Sequence, residues 1–274
     1  MKKILIPTDF SKSAENALKV AAQIAKKNNG EIILLHMLEL PHQGSDAVVS
    51  GKSIPEIMFF KNAAINKLED MMDADDLQAV PVSAIIQFEM AFDGILNISK
   101  KNDVDLIVMG SHGASGFKEM FIGSNAEKVV RNSEIPVLII KEETNDFQVN
   151  DFVFASDFSD EIKKPFEKVL AVADKFGAKL HLVTITTPSN FKPTAVSEKI
   201  MNGFLANFNA DNVVTHIYND TSIEGGILNF AKSINADLIG MSTHGRKGLS
   251  HFLNGSISED LVNHSAKPVI TFKI

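Results

Sequence analysis

The chain has 274 residues, with 34 acidic and 27 basic side chains and a formal net charge of −7. This length suits one large or two ordinary domains, and the negative charge argues against a general nucleic-acid-binding surface. Because the chain has no cysteine, it cannot form disulfides, thiolate metal sites or a cysteine nucleophile. It shows neither a secretory signal nor an apolar run of the roughly 18 residues that span a membrane, so we expect a cytoplasmic protein that binds no membrane.

The first elements alternate between strand and helix. Residues 3–7 are predicted to form a strand buried on both faces, because apolar residues follow one another there. A helix over 14–27 follows, with Asp9 or Ser11 as its cap. Residues 31–37 then form the second strand.

The alternation continues to the fourth strand. Residues 41–55 carry Gly, Ser and His and are predicted to form a loop. A helix over 56–72, a strand over 80–87, a helix over 94–102 and a strand over 104–109 follow. Strands that alternate with helices predict an α/β fold with a parallel, doubly wound sheet.

A glycine-rich loop comes directly after the fourth strand. Its glycines are Gly110, Gly113, Gly116 and Gly123. Glycine allows the backbone to approach a ligand closely or to take positive φ, and the helix start beyond the loop offers unpaired N–H groups to phosphate. We expect Ser124 to cap the helix over 125–132, before the fifth strand at 137–140. The spacing of the glycines matches neither a Walker loop nor the dinucleotide fingerprint.

The same pattern returns in the second half of the chain. Gly113 aligns with Gly245 at an offset of 132, and Asp9 aligns with Asp157 at an offset of 148. A repeat that preserves the spacing within a loop indicates a duplicated domain. The change in offset means that the second copy has lost 16 residues (148 − 132) between its second and third strands.

The repeat divides the chain into two domains. We predict the first domain over 1–141, a polar and acidic linker over 142–150, and the second domain over 151–274. Each domain is long enough to bury a core of its own.

These motifs resemble those of the universal stress protein family, whose nucleotide-binding members carry Gly-x2-Gly-x9-Gly-(Ser/Thr) after the fourth strand. The first copy matches at every position, whereas the second copy has Ser242 in place of the first glycine. The resemblance covers nearly the whole chain, as a tandem two-domain member. It implies two doubly wound, Rossmann-like domains, each with a five-stranded parallel sheet of order 3-2-1-4-5 and a ligand site where the strand order reverses.

The resemblance also implies which residues of the first domain bind a nucleotide. They are Pro7, Thr8, Asp9, Met37, Met109, Gly110, His112, Gly113, Gly123, Ser124, Asn125 and Ala126. The turn after the first strand would flank the adenine and ribose, with the backbone of Met37 against the adenine. The glycine loop and His112 would line the ribose and α-phosphate, and the residues around Ser124 would bind the outer phosphates. Asp9 would bond a sugar or base donor, or reach the phosphates through Mg²⁺.

A weaker site is implied in the second domain. Its residues are Ala155, Ser156, Asp157, Ile185, Ser242, His244, Gly245, Gly255, Ser256 and Ile257. The Cβ of Ser242 would stand where the backbone must approach closely or take positive φ, at a cost on the order of 1 kcal/mol. Arg246 and Lys247 would attract phosphate, but exposed charges are screened by solvent. We therefore expect the first domain to bind ATP more tightly, and the second to be weaker, empty or adapted to another ligand.

Each motif also has a purely structural explanation. Asp9 and Asp157 could serve only to cap the helices that follow them. His112 and His244 could be loop histidines bonded to backbone, and the glycines could serve turn geometry alone. Lys118 is more easily explained as a solvated loop cation than as a phosphate ligand.

The sequence contains no catalytic triad in a nucleophile elbow and no metal-binding motif. It therefore favours a regulatory or protective module that binds ATP, or AMP or ADP, together with Mg²⁺. The alternatives are a slow ATP-hydrolysing or phosphotransferring enzyme, and a nucleotide-free module for protein interaction. A regulatory protein partner cannot be named from the sequence.

The last strand of each copy is apolar and would lie at the edge of its sheet. Exposed apolar edges invite pairing with another strand. We expect residues 137–140 to lie close to 269–273 within one chain, giving an intramolecular pseudo-dimer, and we leave further homodimerisation open.

Overall fold

The computed structural model describes residues 1–38, 53–113, 122–243 and 256–274. The strands are β1 (Lys3–Pro7), β2 (Glu31–Met37), β3 (Val82–Gln87), β4 (Leu106–Gly110), β5 (Val137–Ile140), β6 (Asp151–Ala155), β7 (Lys179–Thr186), β8 (Val213–Asn219), β9 (Leu238–Thr243) and β10 (Val269–Lys273). The helices are α1 (Lys12–Asn28), α2 (Ser53–Met72), α3 (Ala91–Lys101), α4 (Ser124–Asn132), α5 (Lys163–Phe176), α6 (Thr194–Leu205), α7 (Ile223–Ser233) and α8 (Ser256–His264). We refer to β1–β5 with their helices as the first half and to β6–β10 with theirs as the second half.

In the described ranges the strands form one sheet, in the order β3-β2-β1-β4-β5-β10-β9-β6-β7-β8. Within each half the strands are parallel and follow the order 3-2-1-4-5, which confirms the predicted fold. At the centre, β5 and β10 pair antiparallel, with Ile270 opposite Leu138. The expected pairing of 137–140 with 269–273 is therefore observed within a single chain, and we call this junction the seam.

Helices cover both faces of the sheet. α1, α2, α5 and α6 pack on one face, and α3, α4, α7 and α8 pack on the other. Because side chains alternate across a strand, Ile4 and Ile6 face the first set of helices and Leu5 faces the second. This burial on both faces explains why β1 is apolar at every central position. No helix in the described part of the chain is long and apolar enough to cross a membrane.

The structure shows which of the two predicted residues, Asp9 or Ser11, caps α1. The hydroxyl oxygen of Ser11 accepts a hydrogen bond from the backbone N–H of Ala14 at 3.2 Å, so Ser11 is the N-cap. Asp9 instead accepts from the N–H of Ser11 at 3.1 Å, in the turn before the helix. The helix ends at Asn29, which takes the left-handed conformation with φ of 48°.

Several predicted boundaries differ from the structure. The prediction that Ser124 caps α4 is wrong, because Gly123 holds the N-cap position without a side-chain bond and Ser124 is the first helical residue. α2 begins at Ser53, so the end of the predicted loop is helical, and Pro55 is tolerated in the first turn because it needs no N–H there. β3 begins at Val82, two residues later than predicted. The rest of the predicted loop, up to residue 52, lies outside the described residues.

The predicted linker over 142–150 packs against the helices of both halves. The side-chain oxygen of Gln23 in α1 accepts from the N–H of Phe147 at 2.6 Å. The ring of Phe147 meets that of Phe176 in α5 edge to face, with centroids 5.9 Å apart. Glu143 forms an ion pair with Lys19 of α1. The connection is thus anchored to the body of the protein by both apolar and polar contacts.

Candidate functional site

The strand order of the first half reverses between β1 and β4, and a cavity of about 380 Å³ opens at the carboxyl ends of these strands. The cavity wall includes all the residues predicted for the first half, namely Pro7, Thr8, Asp9, Met37, Met109, Gly110, His112, Gly113, Gly123, Ser124, Asn125 and Ala126. It also includes residues that the sequence reasoning missed, namely Ala14, Leu35, His36, Ala91, Ile95 and Ser111. Motifs that are remote in sequence therefore meet at one concave surface, as expected for an open α/β sheet. Gly116 and Lys118 lie outside the described residues.

The turn after β1 is held in a strained conformation. Phe10 has φ of 64°, which is rare for a bulky residue. Two hydrogen bonds keep it there, because the hydroxyl oxygen of Thr8 accepts from the N–H of Phe10 at 3.0 Å and Asp9 accepts from the N–H of Ser11. Backbone strain that is fixed by its surroundings is common at ligand sites.

The second half contains the same turn, with the same two hydrogen bonds. Phe158 has φ of 59°. The hydroxyl oxygen of Ser156 accepts from the N–H of Phe158 at 3.0 Å, and Asp157 accepts from the N–H of Ser159 at 3.1 Å. The duplication has therefore preserved the geometry of the turn as well as its sequence.

His36 lines the first-half cavity, and its ring packs against that of Phe10. Their rings lie 4.4 Å apart, and the ammonium of Lys67 in α2 lies 4.9 Å from the centre of the Phe10 ring. The Nδ1 atom of His36 is 2.8 Å from the carbonyl oxygen of Thr8. His36 could have been found from its place directly before Met37 at the carboxyl end of β2.

Two glycines of the loop lie close to neighbouring residues, Gly110 to backbone and Gly113 to the end of a side chain. A Cβ on Gly110 would lie 2.6 Å from the backbone carbonyl of Ser13 in α1, and a Cβ on Gly113 would lie 2.9 Å from a carboxylate oxygen of Asp9. Neither glycine has positive φ. A Cβ on Gly123 would make only ordinary contacts, the nearest at 3.6 Å. Gly110 is therefore needed for space, and none of the three described loop glycines is needed for a left-handed backbone.

His112 is held by serine hydroxyl groups. Its Nδ1 atom lies 2.7 Å from the hydroxyl of buried Ser111. Its backbone N–H donates to the hydroxyl oxygen of Ser13 at 3.4 Å. Among the described residues the ring is thus bonded to a neighbouring side chain, whereas the structural alternative supposed a bond to backbone.

The amino end of α4 closes the cavity. The N–H of Gly123 donates to the carbonyl oxygen of Ser111 at 2.7 Å, which ties the helix start to the end of β4. Because Gly123 offers no side-chain cap, the first N–H groups of α4 can serve a ligand. A helix start carries a partial positive charge and suits phosphate. The described wall contains no lysine or arginine, so backbone groups would dominate the recognition of an anion.

The described residues at the equivalent place in the second half line two small cavities that share Asp157 and Ile185, one of about 20 Å³ and one of about 30 Å³. The described wall of the larger one consists of Ala155, Ser156, Asp157, Ile185, Ile223, Ile227, Met241 and Ser242. The offset of 132 places Ile223 at the position of Ala91. The larger side chain occupies space that is open in the first half. Of the other predicted residues, His244, Gly245 and Gly255 lie outside the described residues with Arg246 and Lys247, and Ser256 and Ile257 begin α8.

Ser242 is accommodated by a different helix start. The residue is 2% exposed. In the first half, Ser13 belongs to the first turn of α1 and approaches Gly110. Its equivalent at offset 148, Glu161, lies in a 3₁₀ turn over Asp160–Ile162 that precedes α5. The loss of the glycine and the change of helix type thus occur together.

Comparison with known proteins gives consistent relatives for both halves. A family model described as "Universal stress protein family" matches residues 1–141 and 149–273. Universal stress protein MJ0577 of Methanocaldococcus jannaschii is 34% identical over 160 residues, which cover 53% of this chain and 97% of the relative. Universal stress protein Slr1230 of Synechocystis is 23% identical over an alignment that covers the whole of both chains. A crystal structure of a universal stress protein from Archaeoglobus fulgidus has a TM-score of 0.74 at 24% identity, covering 99% of this chain and 98% of that one, and shows the likeness of fold.

Proposed function

The chain belongs to the universal stress protein family, and from this premise we propose that its first half binds ATP as a regulatory or protective module of the cytoplasm. The observation that carries the proposal is the cavity of about 380 Å³ at the ends of β1 and β4. Its volume falls in the range of small-molecule and cofactor sites. Its wall brings a strained turn, a glycine loop and a free helix start together.

The wall suggests how the nucleotide lies. The adenine and ribose fit against the turn at Thr8 and Asp9, beside Met37, where the wall carries apolar side chains. The phosphates point along Gly113 toward Ser124, where backbone N–H groups and the α4 dipole stabilise negative charge. AMP and ADP would use the same base and sugar contacts and would bind more weakly, because they lack the outermost phosphates.

The described residues can take part in a magnesium site only together with the nucleotide. They contain no group of three or more metal-ligating side chains. Asp9 is the carboxylate on the described wall. Because Mg²⁺ is commonly held by one or two carboxylates together with substrate phosphates, Asp9 fits this role when the ATP phosphates supply the other ligands. The ion would then neutralise phosphate charge beside the Asp9 carboxylate.

The most direct test of the site is substitution of Gly113. In Gly113→Val, the Cβ would push the Asp9 carboxylate out of its turn and the side chain would enter the space of the phosphates. We expect ATP affinity, measured by titration calorimetry, to fall at least about tenfold, or about 1.4 kcal/mol. The matched control is Gly203→Val in α6, where an added Cβ meets no atom within 4 Å. Unchanged affinity in Gly113→Val would contradict the assignment of the phosphate site.

A binding module and a slow ATPase differ in turnover. If ATP is a bound regulator, the chain should retain it through many minutes with little release of phosphate. Steady release of phosphate that Gly113→Val abolishes would favour the enzyme. Purified chain without adenine absorbance and without ATP affinity would favour the nucleotide-free interaction module.

A further inference from the structure

A side chain of the second half reaches across the seam to the proposed phosphate site of the first. The side-chain oxygen of Asn263, near the end of α8, accepts a hydrogen bond from the backbone N–H of Ile122 at 2.6 Å. Ile122 is 9% exposed and directly precedes Gly123 and Ser124. The contact therefore fixes the backbone one residue before the helix start that would bind the outer phosphates.

Other contacts hold Asn263 in place. The ammonium of Lys141, which follows β5, donates to the carbonyl oxygen of Asn263. Burial lowers the pKa of Lys141, while Glu142 opposes this shift. On the other side of the seam, the ammonium of Lys273 donates to the carbonyl oxygen of Asn132 at 3.0 Å. Each half thus anchors the carboxyl end of the helix that the other half contributes to the seam.

The position in the first half that is equivalent to Asn263 carries a different side chain. The offset of 132 places Arg131 of α4 at the position of Asn263. An arginine side chain has only donors, so it cannot accept a backbone N–H from the second half as Asn263 accepts that of Ile122. The acceptor that Asn263 provides to the first-half site is therefore not repeated at the equivalent position of α4.

α8 also connects the two sites along its own length. It begins at Ser256, the counterpart of Ser124, and spans nine residues to His264. At 1.5 Å per residue this is roughly 13 Å. A shift of α8 caused by a change at its start would move Asn263, and with it Ile122.

We propose that Asn263 is a positioning residue for the first-half nucleotide site, through which the second half sets the affinity for the ATP phosphates. This inference rests on the proposed function. Because Ile122 adjoins the phosphate end, loss of the contact should weaken ATP and leave adenosine, which has no phosphates, unaffected.

The test compares two substitutions in the full chain. Asn263→Leu keeps the approximate size but removes the acceptor, and we expect ATP affinity to fall about fivefold, the usual effect of one hydrogen bond. Asn263→Asp keeps an acceptor oxygen beside the Lys141 ammonium and should stay close to wild type. The matched control is Asn212→Leu, which removes a side-chain bond to the carbonyl oxygen of Ala178 far from the seam. Adenosine affinity should be the same in all four proteins.

A second measurement does not depend on a ligand. Hydrogen exchange at the Ile122 amide should be slow in wild type and in Asn263→Asp, and at least about tenfold faster in Asn263→Leu, because an unbonded amide exchanges more readily. Equal ATP affinity in Asn263→Leu and wild type would overturn the inference and leave the proposed function standing. Parallel losses of ATP and adenosine affinity would overturn it as well, since they indicate general damage. Absence of ATP binding in wild type would overturn both.

Discussion

The two halves of the molecule share a fold and a strained turn, yet the cavities that their described residues line measure about 380 Å³ in the first half and about 30 Å³ in the second. The turns at Phe10 and Phe158 match in φ and in hydrogen bonds. On the described cavity wall, Ala91 and Gly110 of the first half correspond to the larger residues Ile223 and Ser242 of the second. Duplication has thus preserved the strained turn while side chains on the described wall have grown, and this contrast can be tested position by position.

The largest effect is expected from giving the first half the serine of the second. In Gly110→Ser, the Cβ would lie 2.6 Å from the backbone of Ser13, and a backbone cannot rotate out of the way. We expect the free energy of unfolding, measured with denaturant, to fall by about 1–3 kcal/mol. Gly203→Ser in α6 is the control. A change within about 0.5 kcal/mol would show that α1 adapts easily, as the helix start in the second half has done.

The second-largest effect is expected from reducing the volume of the first-half cavity. In Ala91→Ile, the first-half cavity receives the side chain that narrows the second, and ATP affinity should fall about tenfold, or about 1.4 kcal/mol. Ala63→Ile, at an exposed position of α2, controls for the effect of isoleucine on a helix. Calorimetry that finds full affinity in Ala91→Ile would show that the nucleotide does not occupy this part of the cavity.

The reverse substitution, made in the second half, should produce a small gain in ATP affinity there. Ile223→Ala opens the second-half cavity but leaves Ser242 in place, so we expect only weak ATP binding to appear there. The measurement is best made in a chain that also carries Gly113→Val, because the first-half site is then silent. If no binding appears at millimolar ATP, side-chain volume alone does not explain the difference between the halves.

The smallest expected effect is on the pH dependence of the free energy of unfolding. His181 of the second half lies 2.8 Å from Asp151 and 3.0 Å from His216, whereas the equivalent positions of the first half carry Ile33, Lys3 and Ala84. Burial, with help from His181 and Lys179, lowers the pKa of His216. As the pH falls below about 6.5, the unfolded chain therefore takes up this proton before the folded chain does, and stability is lost until the folded pKa is passed.

Substitution of His216 tests this directly. In His216→Ala, which copies Ala84 of the first half, the free energy of unfolding should decline less steeply as the pH falls from about 6.5 toward 5. The substitution also removes the packing of the His216 ring against Phe230. Because that loss lowers the stability at every pH, it does not change the slope of the free energy of unfolding against pH. Identical slopes in the two proteins would exclude His216 as a source of acid sensitivity.

Much of this molecule could be predicted from its sequence, for identifiable reasons. β1, β2 and β5 lie within the bounds predicted, because strands buried on both faces form continuous apolar runs that end at polar or glycine residues. The repeat and its glycine motif led to the residues that line the first-half cavity. Their role as nucleotide ligands stays a prediction.

Other features depend on three-dimensional contacts that the pattern does not contain. The left-handed conformation of Phe10 is set by side-chain bonds, whereas the residues around it were predicted only to cap the next helix and to bind a ligand. The exchange of Ala91 for Ile223 was missed because the third helix was predicted to begin at residue 94, whereas it begins at Ala91, beside the cavity. Residues 142–150 pack against the body of the protein through Phe147, and this was not predicted because the segment is polar apart from a few residues.

The central claim is that the first half of this chain binds ATP with a higher affinity than the second half. Calorimetric titration of the full chain with ATP and Mg²⁺ tests it most directly, with Gly113→Val as the variant that assigns the site. The account predicts one tight binding event per chain, which disappears in Gly113→Val. Two equivalent binding events per chain, or a tight event that survives in Gly113→Val, would contradict it.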